Sequence, residues 1–168
     1  MGRREILAVA ILVAAAALWL HHRAAVSGPP AAGTVVRVVD GDTVVVAAGG
    51  GSGFRVRLLG IDTPETVDPH RPAGCYGSEA SAYTKHLLTG RRVRLVYDSQ
   101  LQDVYGRWLA YVYLHRASRP DLFVNARLVS DGYARTLSIP PNTAHAAELA
   151  ALERSAAVAG RGLWSSCN

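Results

Sequence analysis

An α+β fold, built on a small closed antiparallel barrel of five β-strands with three helices attached, is what this 168-residue chain predicts. Three observations carry that expectation. β-Branched runs broken by glycine turns fill residues 34–61. A helical pattern follows at 78–90, and two further strand patterns come next. Two more helical stretches then close the chain.

Taken in order, Ser27-Gly-Pro-Pro-Ala-Ala-Gly33 is a joint rich in breakers. Thr34–Val39 and Thr43–Val46 flank Asp40-Gly-Asp42, which is a hairpin signal. Gly49–Gly53 is a second turn before the strand that begins at Phe54 and runs into Asp62-Thr-Pro-Glu65. Pro64–Cys75 holds three prolines and no periodicity, so it is a loop. Ser78 can cap a helix with Tyr83, Leu87 and Leu88 on one face and Gly90 as its stop. Arg91–Tyr97 alternates like a half-buried strand, and Trp108–Tyr113 is the fifth. Asn125 can cap a short helix ended by Gly132. Asn142 or Thr143 can cap a longer one with Leu149, Leu152 and Ala156 on one stripe. Three strands, a helix and two strands are the elements of an OB-fold.

The domain proper is residues 31–168, preceded by a segment of different character at 1–30. Arg3-Arg4 lead fifteen consecutive apolar residues, Ile6 to Leu20, ahead of His21-His-Arg23. As a helix that run spans about 22 Å, short of the roughly 30 Å hydrocarbon core of a bilayer. A cleaved signal peptide and an uncleaved anchor through residues 6–20 both remain open. Either places the domain outside the cytoplasm, secreted or tethered to the outer face of the membrane. Lys+Arg is 18 against Asp+Glu 13. Setting aside Arg3, Arg4, Arg23 and Glu5 leaves 15 against 12, a mildly basic domain that permits a polyanionic partner without requiring one. Cys75 and Cys167 have no metal-binding spacing. In an oxidising compartment their natural reading is one disulfide, with two unpaired thiols as the alternative.

Carboxylates, arginines and one threonine cluster at three places. Asp42 and Asp62 can offer hard oxygens to Ca²⁺ or Mg²⁺, with room left for water and a phosphate. Taken alone, Asp40-Gly-Asp42 is equally a plain turn. Glu65 can orient or deprotonate a water beside such a cation, or face solvent as a loop glutamate. Arg57 and Arg107 can fork onto phosphate oxygens, although in a chain with seventeen arginines each says little by itself.

Together the motifs say more. Asp40-Gly-Asp-Thr43, Arg57-Leu-Leu-Gly-Ile-Asp-Thr-Pro-Glu65, Tyr76-Gly-Ser-Glu-Ala-Ser-Ala82 and Tyr105-Gly-Arg-Trp-Leu-Ala-Tyr111 resemble the staphylococcal nuclease (thermonuclease) family in the same order. Asn125, Leu128-Val129, Gly132 and Gly162-Leu-Trp164 extend the likeness over nearly all of residues 34–164. The resemblance implies Ca²⁺-dependent hydrolysis of DNA and RNA, with single-stranded or unpaired substrate preferred and a monomer as the default. It assigns Asp42, Asp62 and the Thr63 carbonyl to Ca²⁺, Asp40 to a supporting carboxylate, and Arg57, Arg107 and the general base Glu65 to catalysis. Tyr105 falls where the family contacts a terminal phosphate, and Arg71 with His70 keeps positive charge in the loop after Glu65. Two departures stand out: Val104 replaces a lysine, and Leu137-Ser-Ile139 lacks the tyrosines of the family's base pocket. The competing readings are a non-catalytic OB-fold module that binds nucleic acid, and a surface domain with a purely structural Ca²⁺.

Overall fold

The Thr34–Val46 run forms a hairpin because its β-branched residues alternate between the core and solvent. In the computed structural model, which describes residues 28–49, 51–66 and 74–167, β1 (Ala32–Val38) pairs antiparallel with β2 (Thr43–Ala47), and Val38 lies opposite Val44. β2 pairs antiparallel with β3 (Phe54–Leu58), setting Thr43 opposite Arg57. β4 (Gly60–Asp62) follows after a break at Leu59. β5 (Arg92–Gln102) runs five residues past the Tyr97 expected from the alternation, and pairs with β1 and with β6 (Trp108–Leu114). Two short strands complete the set: β7 (Leu122–Phe123) on β6, and β8 (Arg135–Leu137) on β4.

The strand order β3-β2-β1-β5-β6 closes through a β3–β6 pairing that is parallel, with Arg57 opposite Leu109. The expected OB-like barrel is therefore present, but its pairing is mixed and not purely antiparallel. The reason is parity. Five strands that alternate in direction cannot close a ring without one parallel seam, and that seam falls beside Arg57.

Helix α1 (Gly77–Leu88) lies where it was expected, yet Ser78 does not cap it. The residue ahead of the helix is Tyr76 in a left-handed conformation, and the Ser78 hydroxyl donates to Glu79 instead. α2 (Val124–Ser130) contains Asn125 within its first turn. There the amide is fully buried, accepting from Val112 N at 2.9 Å and donating to Leu59 O at 2.7 Å. It ties the helix to β6 and to the β3–β4 break, and caps nothing. α3 (Ala146–Val158) starts later than Asn142 or Thr143 predicts, and buries Leu149 and Ala156. A fourth short helix, α4 (Leu163–Ser166), was not expected; it returns to the body through Leu163 N donating to Gly132 O at 2.9 Å. Valines 35, 44, 46, 56, 93 and 112 fill the barrel, with Leu58, Leu128 and Leu149 packed against them.

The chain divides into two units, Met1–Pro30 and Ala31–Asn168, and the barrel belongs to the second. Among the described residues no helix is long and apolar enough to cross a membrane. The export or anchor segment expected at residues 6–20 lies outside the described residues. A disulfide joins Cys75 to Cys167 with Cα atoms 5.8 Å apart. It ties the C-terminus to the approach to α1, a closure worth about 4–5 kcal/mol in the chain-entropy account.

Candidate active site

The β2–β3 register and the β3–β4 break place the first group of residues. Asp42 precedes β2, its carbonyl accepts from Leu58 N at 2.9 Å, and its carboxylate points at the Arg57 side chain. Arg57 Nη1 lies 2.6 Å from Asp42 Oδ2, although its N–H vectors do not point along that contact. Nη2 donates to Asp62 Oδ1 at 2.9 Å. One guanidinium thus bridges a buried carboxylate and an exposed one, with side-chain exposures of 7% for Asp42 and 56% for Asp62.

Asp42 is held on every side. It accepts from Thr63 N at 2.9 Å, from the Thr63 hydroxyl at 3.2 Å and from the Thr43 hydroxyl at 3.1 Å. Asp42 N in turn donates to Asp40 Oδ1 at 3.2 Å. Gly41 permits this closeness: a Cβ there would sit 2.7 Å from the Thr63 side chain. The Asp-Gly-Asp turn is more than a hairpin device, because it clamps the Asp42 carboxylate against β4. Burial pushes the Asp42 carboxyl up to about 6, outweighing the Arg57 charge, and Asp40 adds to the rise.

Arg107 arrives from the other side of the closing seam. Its Nε donates to Asp103 Oδ2 at 2.7 Å, and Asp103 Oδ1 takes the amides of Arg107 and Tyr105 at 3.0 and 2.9 Å. Burial works against the Asp103 anion, but the Arg107 guanidinium and these two amides outweigh it and hold the carboxyl below its ordinary value. Asp103 is the residue that sequence reasoning left without a role. Its spacing of four from Arg107 across a glycine turn was the available signal.

Asp40, Asp42, Arg57, Asp62, Thr63, Glu65 and Arg107 together line one polar cleft of about 210 Å³. Glu65 is exposed, and its Oε1 accepts from Thr66 N at 2.9 Å. Four carboxylates face two guanidiniums, a formal charge of −2. A second, more apolar cleft of about 260 Å³ shares Arg57 and Arg107 and is walled by Leu109, Leu137, Ile139 and Asn142. Tyr105 lines this second cleft and not the polar one, with 74% of its surface exposed. Arg71 and His70 lie outside the described residues.

The polar cleft suits a divalent cation in donor chemistry, since its oxygens are hard and its excess charge is −2. The raised proton affinity of Asp42 has the same cause, a buried anion with too little positive charge nearby. The protein offers only part of a coordination shell: among the described residues no three acidic, histidine or cysteine side chains gather as a ready cage. The remaining positions would fall to water and to a ligand.

The chain is 51% identical over 88 residues to a thermonuclease of Staphylococcus intermedius, covering 52% of this chain and 49% of that protein. It is 41% identical over 110 residues to a thermonuclease of Staphylococcus hyicus, covering 66% and 62%. It is also 35% identical over 112 residues to the endonuclease YncB of Bacillus subtilis (strain 168), covering 66% and 51%. The chain therefore spans about half to three-fifths of the length of these relatives. The family described as "Staphylococcal nuclease homologue" matches residues 55–166, two thirds of the chain. On that match, and with its barrel closing beside the Asp42–Arg57–Asp62 bridge, the chain belongs to the staphylococcal nuclease family.

Proposed function

We propose that this chain is a Ca²⁺-dependent nuclease that hydrolyses phosphodiester bonds of DNA and RNA with little sequence specificity. The observation that carries this reading is the single polar cleft in which two arginines from opposite sides of the barrel seam meet Asp42, Asp62 and Glu65. Asp42, Asp62 and the Thr63 carbonyl would hold Ca²⁺, which when bound supplies Lewis-acid charge to a phosphate oxygen. Arg57 and Arg107 bind the remaining phosphate oxygens and offset the charge that grows as phosphorus becomes five-coordinate. Glu65 orients a water and accepts its proton as the new P–O bond forms. The bond to the leaving 5′-oxygen breaks, that oxygen takes a proton from solvent, and a 3′-phosphate remains. Asp40 supports the Asp42 backbone, and Asp103 presents Arg107 along the line set by the Asp103–Arg107 turn.

The domain works as a monomer outside the cytoplasm, released or held by residues 6–20. The Cys75–Cys167 bridge supports an oxidising compartment. Digestion of single-stranded DNA and of RNA by the full chain, with Ca²⁺ and with chelator, tests the reading alongside Glu65→Ser and Arg107→Gly. Cleavage that needs Ca²⁺ and drops by orders of magnitude in both variants is the expected result. Strand binding without any cleavage would instead make the chain a non-catalytic binding module.

A further inference from the structure

Aromatic rings and an arginine gather beside the β4–β8 ladder, whose Asp62 lines the polar cleft. Asp62, at the cleft edge, is paired with Arg135 across the β4–β8 ladder. Arg135 is exposed, and its guanidinium carbon lies 4.3 Å from the centroid of the Trp164 ring. An arginine laid flat on an indole turns its N–H edge to solvent, which is the presentation a phosphate requires. Arg135 makes no ion pair among the described residues.

Two residues before Arg135, Tyr133 is the middle of a three-ring stack. It lies 4.1 Å from Tyr83 at 15° and 5.6 Å from Tyr76 at 26°. Tyr83 is pinned by its hydroxyl, which donates to Asp131 at 2.9 Å and accepts from Arg127 Nε at 3.2 Å. Tyr76 is the end ring, and its chain abuts the segment that carries Glu65. Gly74 N donates to Glu65 O at 2.8 Å, and a Cβ on Gly77 would stand 2.9 Å from Pro64 O. Tyr76 holds φ 67°, a left-handed conformation rare for a bulky side chain. The disulfide at Cys75 and the tight seat of Gly77 keep it there. The result is a half-buried ring on the segment that abuts Pro64 and Glu65. Core packing alone would bury such rings, whereas all three tyrosines keep exposed surface.

We propose that Tyr76, the outer ring of the stack, and Arg135, seated on Trp164, form a second strand-binding subsite beyond the polar cleft. Tyr76 stacks on a base of a single-stranded nucleic acid, and Arg135 takes a backbone phosphate of the same strand. The proposal rests on the nuclease reading for its direction, since it prolongs the strand whose phosphate occupies the cleft. It also supplies aromatic stacking that the apolar cleft lacks at Leu137 and Ile139.

The test is binding of end-labelled oligothymidylates of about three and about twelve nucleotides to the full chain in chelator, read by anisotropy and by tryptophan emission. Wild-type protein is expected to favour the longer strand by about tenfold, and the longer strand is expected to change the tryptophan emission more than the shorter one. Arg135→Gln with Tyr76→Leu should collapse that ratio towards one. Because Arg135 is exposed, Arg135→Gln alone keeps a folded protein for the same comparison, and a part-way fall in the ratio supports the subsite. An unchanged ratio, or an equal loss for both lengths, overturns it. Cleavage of the longer strand with Ca²⁺ is scored separately. Length-dependent binding with no cleavage would end the nuclease reading and leave the subsite standing, while cleavage with no length preference would do the reverse.

Discussion

Two clefts meet at Arg57 and Arg107, and they are built by opposite means. The polar one is set by backbone register: Thr43 opposite Arg57, Arg57 opposite Leu109, and Asp62 in the β4–β8 pair. The apolar one has a wall at 139–142 that belongs to no barrel strand. Its anchor is Asn142, buried, which accepts from Gln100 N at 2.7 Å and donates to Gln100 O at 2.9 Å. Where register sets the geometry, a substitution changes the chemistry and leaves the walls standing. Where a side-chain amide sets it, a substitution changes the walls themselves.

The largest effect that can break this contrast lies in the polar cleft. Arg57→Gln should lower phosphodiester hydrolysis by about 10²–10³-fold while the barrel still melts cooperatively. Arg107→Gln should do much the same. If the two arginines serve one transition state, the double variant falls well short of the product of the single losses. Initial rates on single-stranded DNA check this, and full multiplicativity would mean the arginines act in separate steps.

Next comes the wall. Asn142→Ala removes the two hydrogen bonds that this buried amide makes to the Gln100 backbone, a loss of about 2 kcal/mol at about 1 kcal/mol per bond. Chemical denaturation should show that loss. Substrate affinity should weaken more than turnover, because neither Arg57 nor Arg107 depends on this anchor. A fall in turnover with unchanged affinity would erase the distinction between the clefts.

Those same differences decide what could be read from the chain. The motifs around Asp42, Arg57, Asp62 and Arg107 were legible because each sits at a strand end, where alternation and turn residues are strong local signals. The parallel β3–β6 seam was not read from the chain, which was expected to close as an antiparallel barrel, although five alternating strands require one such seam. Capping roles were not legible: Asn125 and Asn142 both look like helix caps locally, yet long-range partners claim both amides. Ser78 failed as a cap because α1 begins at Gly77, one residue earlier, behind a strained Tyr76. Asp103 was left without a role because it acts by aiming another side chain, and its spacing of four from Arg107 is only a weak local sign of that.

A smaller effect would sharpen the contrast from the opposite direction. Ile139 is 60% exposed on the wall of the apolar cleft. Ile139→Tyr should tighten binding of a short oligonucleotide by about fivefold, the low end of one base–aromatic stack. Titration in chelator checks it. No gain would mean that the base does not enter this cleft in this chain, and that stacking falls to Tyr76 instead.

The smallest effect concerns Asp98, which ties β5 to the segment leading into α3. The Ala144 amide at 3.0 Å lowers its pKa most, against some burial, with help from the Ser99 amide and hydroxyl and from the Tyr111 hydroxyl. A carboxyl lowered on folding adds stability that is fully present above its ordinary value of 3.8 and is lost as pH falls through the lowered one. Asp98→Asn should therefore reduce the melting temperature slightly at neutral pH, by the worth of about one hydrogen bond. The gap between variant and wild type should close as the pH drops below 3.8. Because Asp98 lies outside the polar cleft, the Ca²⁺ dependence of cleavage should be the same in both proteins. A gap that persists in acid would mean that Asp98 acts by shape and not by charge, which would make the tie between β5 and the segment leading into α3 a matter of packing.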